Sequence, residues 1–177
     1  MKALVVYESM FGDTKDVAKA ITSGLSAHVD VELVEVTQAS SRITEPVDLL
    51  VVGGPTHAFS MTRQSTREDA FRQGAIHGSA NVGLREWLEQ LDRGPHTELV
   101  ATFDTRVAKV RHLPGSAAKG AAKVARQLGY RTAAPAESFY VEDVSGPLLQ
   151  GELDRAWVWG EELAANAAAR GVSHSKS

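Results

Sequence analysis

A chain of 177 residues, 43% apolar and 23% charged, can hold one domain with a full hydrophobic core and is too short to suggest two. A net charge of -3 gives no reason to expect nucleic acid as a partner, and no apolar run approaches the roughly 20 residues of a membrane span. Cysteine is absent, which excludes disulfides, thiol catalysis, iron–sulfur clusters and thiolate metal sites; any redox chemistry belongs to a bound cofactor.

The N-terminus runs from Met1-Lys2 straight into a strand candidate, Ala3 to Tyr7, without the apolar stretch and cleavage site of a signal peptide. The expected location is therefore the cytoplasm. Glu8-Ser9-Met10-Phe11-Gly12-Asp13-Thr14 follows as a loop, and then Val17, Ala18, Ile21 and Leu25 share one face at helical spacing. Further strand candidates are Val31 to Val36, Leu49 to Gly53 and Leu99 to Phe103, with a broken one from about Arg131 to Tyr140. Between the third and fourth lie Pro55 to Gly83, a long polar segment in which Ser65-Thr66-Arg67-Glu68 reads as a capping box opening a short helix from Arg67 to Gln73. A helix bearing Leu84, Trp87, Leu88 and Leu91 comes next, then an alanine-rich one from Ser116 to Leu128 that Gly129 terminates. The last helix, Glu152 to Ala169, offers Leu153, Ala156, Val158, Trp159 and Leu163 as an apolar face. Trp87, Trp157 and Trp159 sit on helices and are read as core. Residues 1–170 form the single domain expected here and 171–177 a flexible C-terminal tail.

Short β-branched runs alternating with amphipathic stretches are the pattern of βαβ units, an α/β fold whose parallel sheet is covered on both faces. In such sheets ligands bind beyond the carboxyl ends of the strands. Three strand exits carry unusual residues: Ser9 to Thr14, then Gly53-Gly54-Pro55-Thr56-His57-Ala58-Phe59-Ser60-Met61, then Thr102-Phe103-Asp104-Thr105-Arg106. In a 2-1-3-4-5 strand order those exits are neighbours and line one site. The first has the makings of a phosphate cradle, because a helix N-terminus presents unpaired N–H groups and a favourable dipole, and Ser9 and Thr14 add hydroxyls. A dinucleotide loop would need three glycines where only Gly12 stands, and a triphosphate loop would need a Gly-Lys-Ser/Thr ending. A receiver domain would need an aspartate where the third strand ends in Gly53-Gly54.

On these residues the chain resembles the flavodoxin family. Val6-Tyr7-Glu8-Ser9-Met10-Phe11-Gly12-Asp13-Thr14 followed by Val17-Ala18 is similar to the family's phosphate loop and first helix, and Gly53-Gly54-Pro55-Thr56-His57 to the second flavin loop of flavodoxin-like reductases. The resemblance implies a three-layer sandwich on a five-stranded parallel sheet in order 2-1-3-4-5, and FMN as cofactor. The FMN contacts it implies are Ser9, Met10, Phe11, Gly12, Asp13, Thr14, Pro55, Thr56, His57, Ala58, Phe59, Phe103, Asp104, Thr105 and Arg106.

Each assignment has a plainer alternative. The first loop can be a simple strand-to-helix turn with Asp13 or Thr14 as N-cap. At about 5 Å and an effective dielectric near 20, the Asp13 carboxylate would repel a phosphate charge by about 3 kcal/mol, so it is expected to face solvent or cap the helix. Phe59 and Phe103, with His57 and Met61, are candidate walls for the flavin ring or else loop-base packing. His57 is a candidate proton donor at the flavin or a backbone cap. Arg106 and Lys109 would raise the flavin potential if they face it, and could instead hold an NADPH phosphate or an acidic partner. Three functions follow: an electron carrier between redox partner proteins, an NAD(P)H-dependent FMN oxidoreductase acting on a quinone or similar small acceptor, and a flavin-free interaction module.

Overall fold

The computed structural model describes residues 1–174. In chain order the elements are β1 (Lys2–Tyr7), α1 (Asp13–Ser26), β2 (Asp30–Glu35), β3 (Leu49–His57), β4 (Ser60–Met61), α2 (Gln64–Arg72), α3 (Leu84–Glu89), β5 (Leu99–Val107), α4 (Ala117–Leu128), β6 (Arg131–Thr132), β7 (Glu137–Val141) and α5 (Glu152–His174). The sheet runs β2-β1-β3-β5, with β6 and β7 both on the outer side of β5, and every pairing is parallel except the β3–β4 hairpin. This is the expected 2-1-3-4-5 sandwich, its fifth strand divided where Pro135 has no N–H to donate to the ladder.

Two apolar cores lie on the two sheet faces. Ala3, Val5, Leu49, Val51, Leu99, Ala101 and Phe103 pack under α1 and α5, while Val6, Leu50, Val52 and Val100 pack under α3 and α4. Strands buried on both faces read as unbroken apolar runs, which is why the inner three were legible. β3 and β5 nevertheless extend past the expected ends at Gly53 and Phe103, because Gly54 pairs with Asp104 and Pro55 with Thr105. Ladder pairing overrides the poor strand propensity of Gly-Gly-Pro.

α2 begins at Gln64 rather than Arg67, with the Arg63 N–H donating to Thr66 Oγ1 at 2.9 Å. α5 departs more from expectation. Its buried face is Ala156, Trp159, Leu163, Ala164 and Ala167, whereas Leu153, Val158 and Trp157 are exposed. The cause is a close helix crossing: a Cβ on Gly160 would lie 2.3 Å from the Ile21 carbonyl oxygen, and one on Gly24 would lie 2.0 Å from that of Trp157. Backbone contact turns the small residues of α5 toward α1 and leaves larger ones outside. The helix continues through His174, into the stretch expected as tail, and Arg170 donates to the Thr132 carbonyl at 2.7 Å. Residues 175–177 of that tail lie outside the described residues, among which no helix is long and apolar enough to cross a membrane.

Gly160→Ala is expected to lower stability by roughly 1–3 kcal/mol through overpacking against backbone. Gly120→Ala in α4, whose Cβ would meet only Met61 side-chain atoms at 3.6 and 3.9 Å, is expected to be neutral or to stabilise by up to about 1 kcal/mol. Urea unfolding of both variants checks this; an unaltered Gly160→Ala midpoint would refute the crossing.

Candidate functional site

The β1 exit makes its sharp turn at Gly12, whose φ of 107° is strained for any side chain, and Gly12 rather than Asp13 or Thr14 is the residue before the first helical turn. Ser9 Oγ accepts the N–H groups of Gly12 at 3.2 Å and Lys15 at 3.3 Å. The N–H groups of Met10, Phe11 and Thr14 have no protein acceptor among the described residues. Thr14 Oγ1 is instead tied to Thr105 Oγ1 at 2.7 Å, joining the first and third loops. Asp13 is half-buried rather than free in solvent and is not the N-cap residue, although its carboxylate takes its own N–H, the first of α1. Its carboxylate lies against the backbone of Gly146, where a Cβ would sit 2.7 Å from Oδ2, and accepts from the Leu148 N–H; burial and the neighbouring Asp16 push its pKa up.

At the β3 exit the chain folds back on itself as the hairpin His57-Ala58-Phe59-Ser60. Ala58 and Phe59 both have positive φ, 47° and 61°, the requirement of a two-residue primed turn. Neither is glycine, so each carries about 1–2 kcal/mol of strain. Gly115 lies close enough to hold the turn in place, since its Cβ would be 2.6 Å from the Phe59 carbonyl oxygen. Phe59 stands 45% exposed at the lip. The half-buried His57 imidazole is bonded to the Thr66 backbone, and burial, reinforced by the Arg67 charge, lowers its pKa, so it is neutral at pH 7. Thr56 Oγ1 accepts the Ala117 N–H at 2.8 Å and so caps α4.

The β5 exit divides by burial. Phe103 is fully buried beneath Gly53, where a Cβ would come within 2.3 Å of its ring, and it packs edge-on against Phe139 and Trp159. It is core, not a ring wall. Met61, only 3% exposed, likewise belongs to the core beside α4. Asp104, expected as a cofactor contact, is buried and accepts the Ala118 N–H at 2.8 Å; burial raises its pKa and its Oδ1 has no partner. Arg106 is 5% exposed, its Nη2 donating to the carbonyls of Val110 at 3.0 Å and Leu113 at 3.2 Å, whereas Lys109 is exposed.

Between the loops opens a cavity of about 430 Å³, within the usual size of small-molecule sites. Met10, Phe11, Asp13 and Thr14 line it from β1, Pro55 to Phe59 from β3, and Thr105 and Arg106 from β5. Ser9, Gly12, Phe103 and Asp104 do not. Ser9 opens on the other side of the loop, into a polar cleft of about 540 Å³ shared with Lys15, Glu35 and His77.

Sequence reasoning missed the opposite wall, Thr66, Asp69 and Ala70 on α2 with Gln73 just past its end, and the side formed by Val141, Asp143 and Val144. It also missed the support beneath. Glu8, 1% exposed, accepts from Thr62 Oγ1 at 2.6 Å and from the Leu84 N–H at 2.8 Å. The fully buried Arg67 donates to Thr62 Oγ1 at 2.8 Å, the Ala80 carbonyl at 2.9 Å and Glu86 at 2.9 Å. The only sequence signal was an acidic residue closing an apolar strand and an arginine at an inward helical position.

The chain matches no protein-family model and no curated protein by sequence. Solved structures do match. It is similar to flavodoxin 2 from Bacillus cereus (TM-score 0.69, 16% identity, 93% of this chain and 99% of that one) and to a flavodoxin from the domain Archaea (0.64, 20%, 95% and 99%). A Streptococcus pneumoniae TIGR4 flavodoxin aligns at TM-score 0.64 and 17% identity over 93% and 99% of the two chains. The fold is flavodoxin-like.

Arg67→Met removes the ion-pair partner of Glu86 and the cation that neighbours buried Glu8 through Thr62, and is expected to destabilise by about 3–5 kcal/mol, part of which Glu8→Gln in the same chain returns. Urea titration of the single and double variants tests it; a single-variant loss below about 1 kcal/mol rules the network out as a support.

Proposed function

We propose that this chain is an FMN-binding redox protein that carries electrons between partners. The observation that supports it most is the set of unpaired N–H groups of Met10, Phe11 and Thr14, grouped at the N-terminus of a 14-residue helix beside an apolar cavity. In this reading those amides hold the FMN phosphate, Thr14 and Thr105 stand where the chain of the cofactor would leave the loop, and Pro55 to Phe59 border the ring. Bound FMN supplies the electron-transfer chemistry; the protein controls access and charge around it. Exposed Phe59 and Val144 border the cavity and suit contact with a redox partner protein. A cytoplasmic location belongs to the same reading.

The second reading, an NAD(P)H-dependent FMN oxidoreductase reducing a quinone or similar small acceptor, is favoured by the α2 wall. Thr66, Asp69, Ala70 and Gln73 add a further wall to the cavity beside the strand-exit loops, with room for a small acceptor. His57, neutral and held by α2, is a proton-transfer candidate only in this case.

Titrating FMN with the purified protein is expected to quench its fluorescence with one site per chain; a protein that rejects FMN refutes both readings. Gly12→Ala, forced to φ near 107°, should weaken binding about tenfold. Asp13→Asn should bind FMN as well or more tightly, since an amide oxygen still accepts from Leu148 while a negative charge close to the phosphate loop is removed; a large loss would show that the carboxylate is needed. Sustained NADPH oxidation with a quinone would favour the enzyme over the carrier.

A further inference from the structure

The charge of this chain is unevenly placed. Residues 105–136 carry seven of its 19 Lys and Arg and none of its 22 Asp and Glu, a net +7 against -10 for all the rest. The fold lays this stretch out as the end of β5, the loop beyond it, α4 and β6. Alanines and Leu128 bury the inner face of α4, and Lys119, Lys123 and Arg126, four and three residues apart, form a row about 10 Å long on its exposed face. Lys109 and Arg111 are exposed on the loop before it. None of the five forms an ion pair among the described residues. Like charges at helical spacing repel one another. The acids that flank the stretch are engaged elsewhere: Asp104 is buried on the Ala118 N–H, Glu137 is paired with Arg155, and Asp92 and Glu98 stand by Tyr130, past the far end of α4. The near end of this ridge adjoins the cavity, because Thr56 holds the Ala117 N–H and a Cβ on Gly115 would meet the Phe59 carbonyl oxygen at 2.6 Å. Phe59 and, two residues from that contact, Leu113 are 45% and 48% exposed.

We propose that the outer face of α4 and the loop before it form the docking surface for a protein partner with an acidic face, seated over Phe59 at the edge of the cavity. The inference rests on the FMN reading above and gives the chemistry of the redox partner. Protein interfaces join an apolar centre to a polar rim, and Phe59 with Leu113 beside Lys109, Arg111 and Lys119 has that composition. A nucleic acid fits less well, since a polyanion longer than the ridge would run onto a molecule whose remainder is net negative. The same division of charge orients an acidic partner during approach: the ridge attracts it while the remaining surface repels it, which turns the cavity side toward the encounter. The row of unpaired cations, a cost to the isolated helix, is relieved in that complex.

The test uses a reduced plant-type [2Fe–2S] ferredoxin as an acidic one-electron donor; two molecules supply the two electrons of full FMN reduction, with protons from solvent. Lys119→Gln/Lys123→Gln on the ridge is compared with Lys19→Gln/Arg42→Gln, which removes the same charge from exposed positions elsewhere. In the FMN-loaded protein the second-order rate of reduction is expected to fall with added salt. At about 20 mM ionic strength the ridge variant should be about fivefold slower than wild type, and at about 0.5 M the two should converge. The control pair should stay within about twofold of wild type at both. A wild-type rate indifferent to salt, or a ridge variant as fast as the control, overturns the proposal while FMN binding stands. If the protein takes up no FMN, the functional reading fails and docking is measured without it, from the anisotropy of dye-labelled ferredoxin titrated with the flavin-free chain. Binding weakened in the ridge variant and kept in the control supports the surface; equal binding by both overturns it. A labelled single strand of about 20 nucleotides that binds through Lys119 and Lys123 more tightly than ferredoxin assigns the ridge to nucleic acid and overturns the protein partner.

Discussion

The parallel register of β1, β3 and β5 is the constraint on which the site depends. Tyr7 lies opposite Gly53 and Gly53 opposite Phe103, so β1 ends at that level while β3 and β5 run on together beyond it, and the β1 loop meets their extended ends. Gly53 is what allows the alignment, because any side chain there would enter the Phe103 ring. Phe103 in turn is fixed by its edge-on contacts with Phe139 and Trp159, which connect the ends of the strands to α5. The cavity floor is thus a consequence of core packing, and its chemistry is confined to residues beyond that level.

Each loop is then held by polar groups taken inside the protein. Thr62 has one hydroxyl proton and gives it to Glu8, because Arg67 occupies its lone pair; this joins the end of β1 to the segment after β4 and to α2. Thr56 and Asp104 receive the first amides of α4, leaving that helix N-terminus fully served. α1 is the contrast. Its N-terminal loop shares one hydroxyl, Ser9, between two amides and leaves three others unserved. Of two helix N-termini at the same end of the sheet, one is closed by the protein's own side chains and the other is open to a ligand.

What sequence could convey follows the same division. The inner strands, the faces of α1 and α3, and the stop at Gly129 were legible because periodicity and left-handed glycine are local signals. The α5 face was misread because its orientation comes from Gly24 and Gly160 touching backbone, a relation between two helices that no single helix pattern carries. At the site, Met10, Phe11, Asp13, Thr14 and Pro55 to Phe59 line the cavity, whereas Ser9 and Gly12 do not, and neither do Phe103 and Asp104, since a strand that continues to Val107 carries those two inside the sheet. The Glu8–Thr62–Arg67–Glu86 chain spans positions too distant in sequence to be paired without the fold.

The electrostatics of the open helix N-terminus argue that short-range bonds, rather than attraction by net charge, must hold an anion there. Asp13 and Asp16 stand in the first turn of α1 and already satisfy its dipole, so a phosphate would approach against them. Lys15 and His77 lie on the cleft side of the loop, away from the apolar cavity, and Arg106 belongs to the β5 wall. A site of this kind selects by the fit of amides to oxygen positions, because its field over longer distances is weak or repulsive. That makes the conformation of Gly12 and the anchoring of Asp13 to the Gly146–Leu148 backbone more consequential than any surface cation: both determine whether the free amides converge on one point.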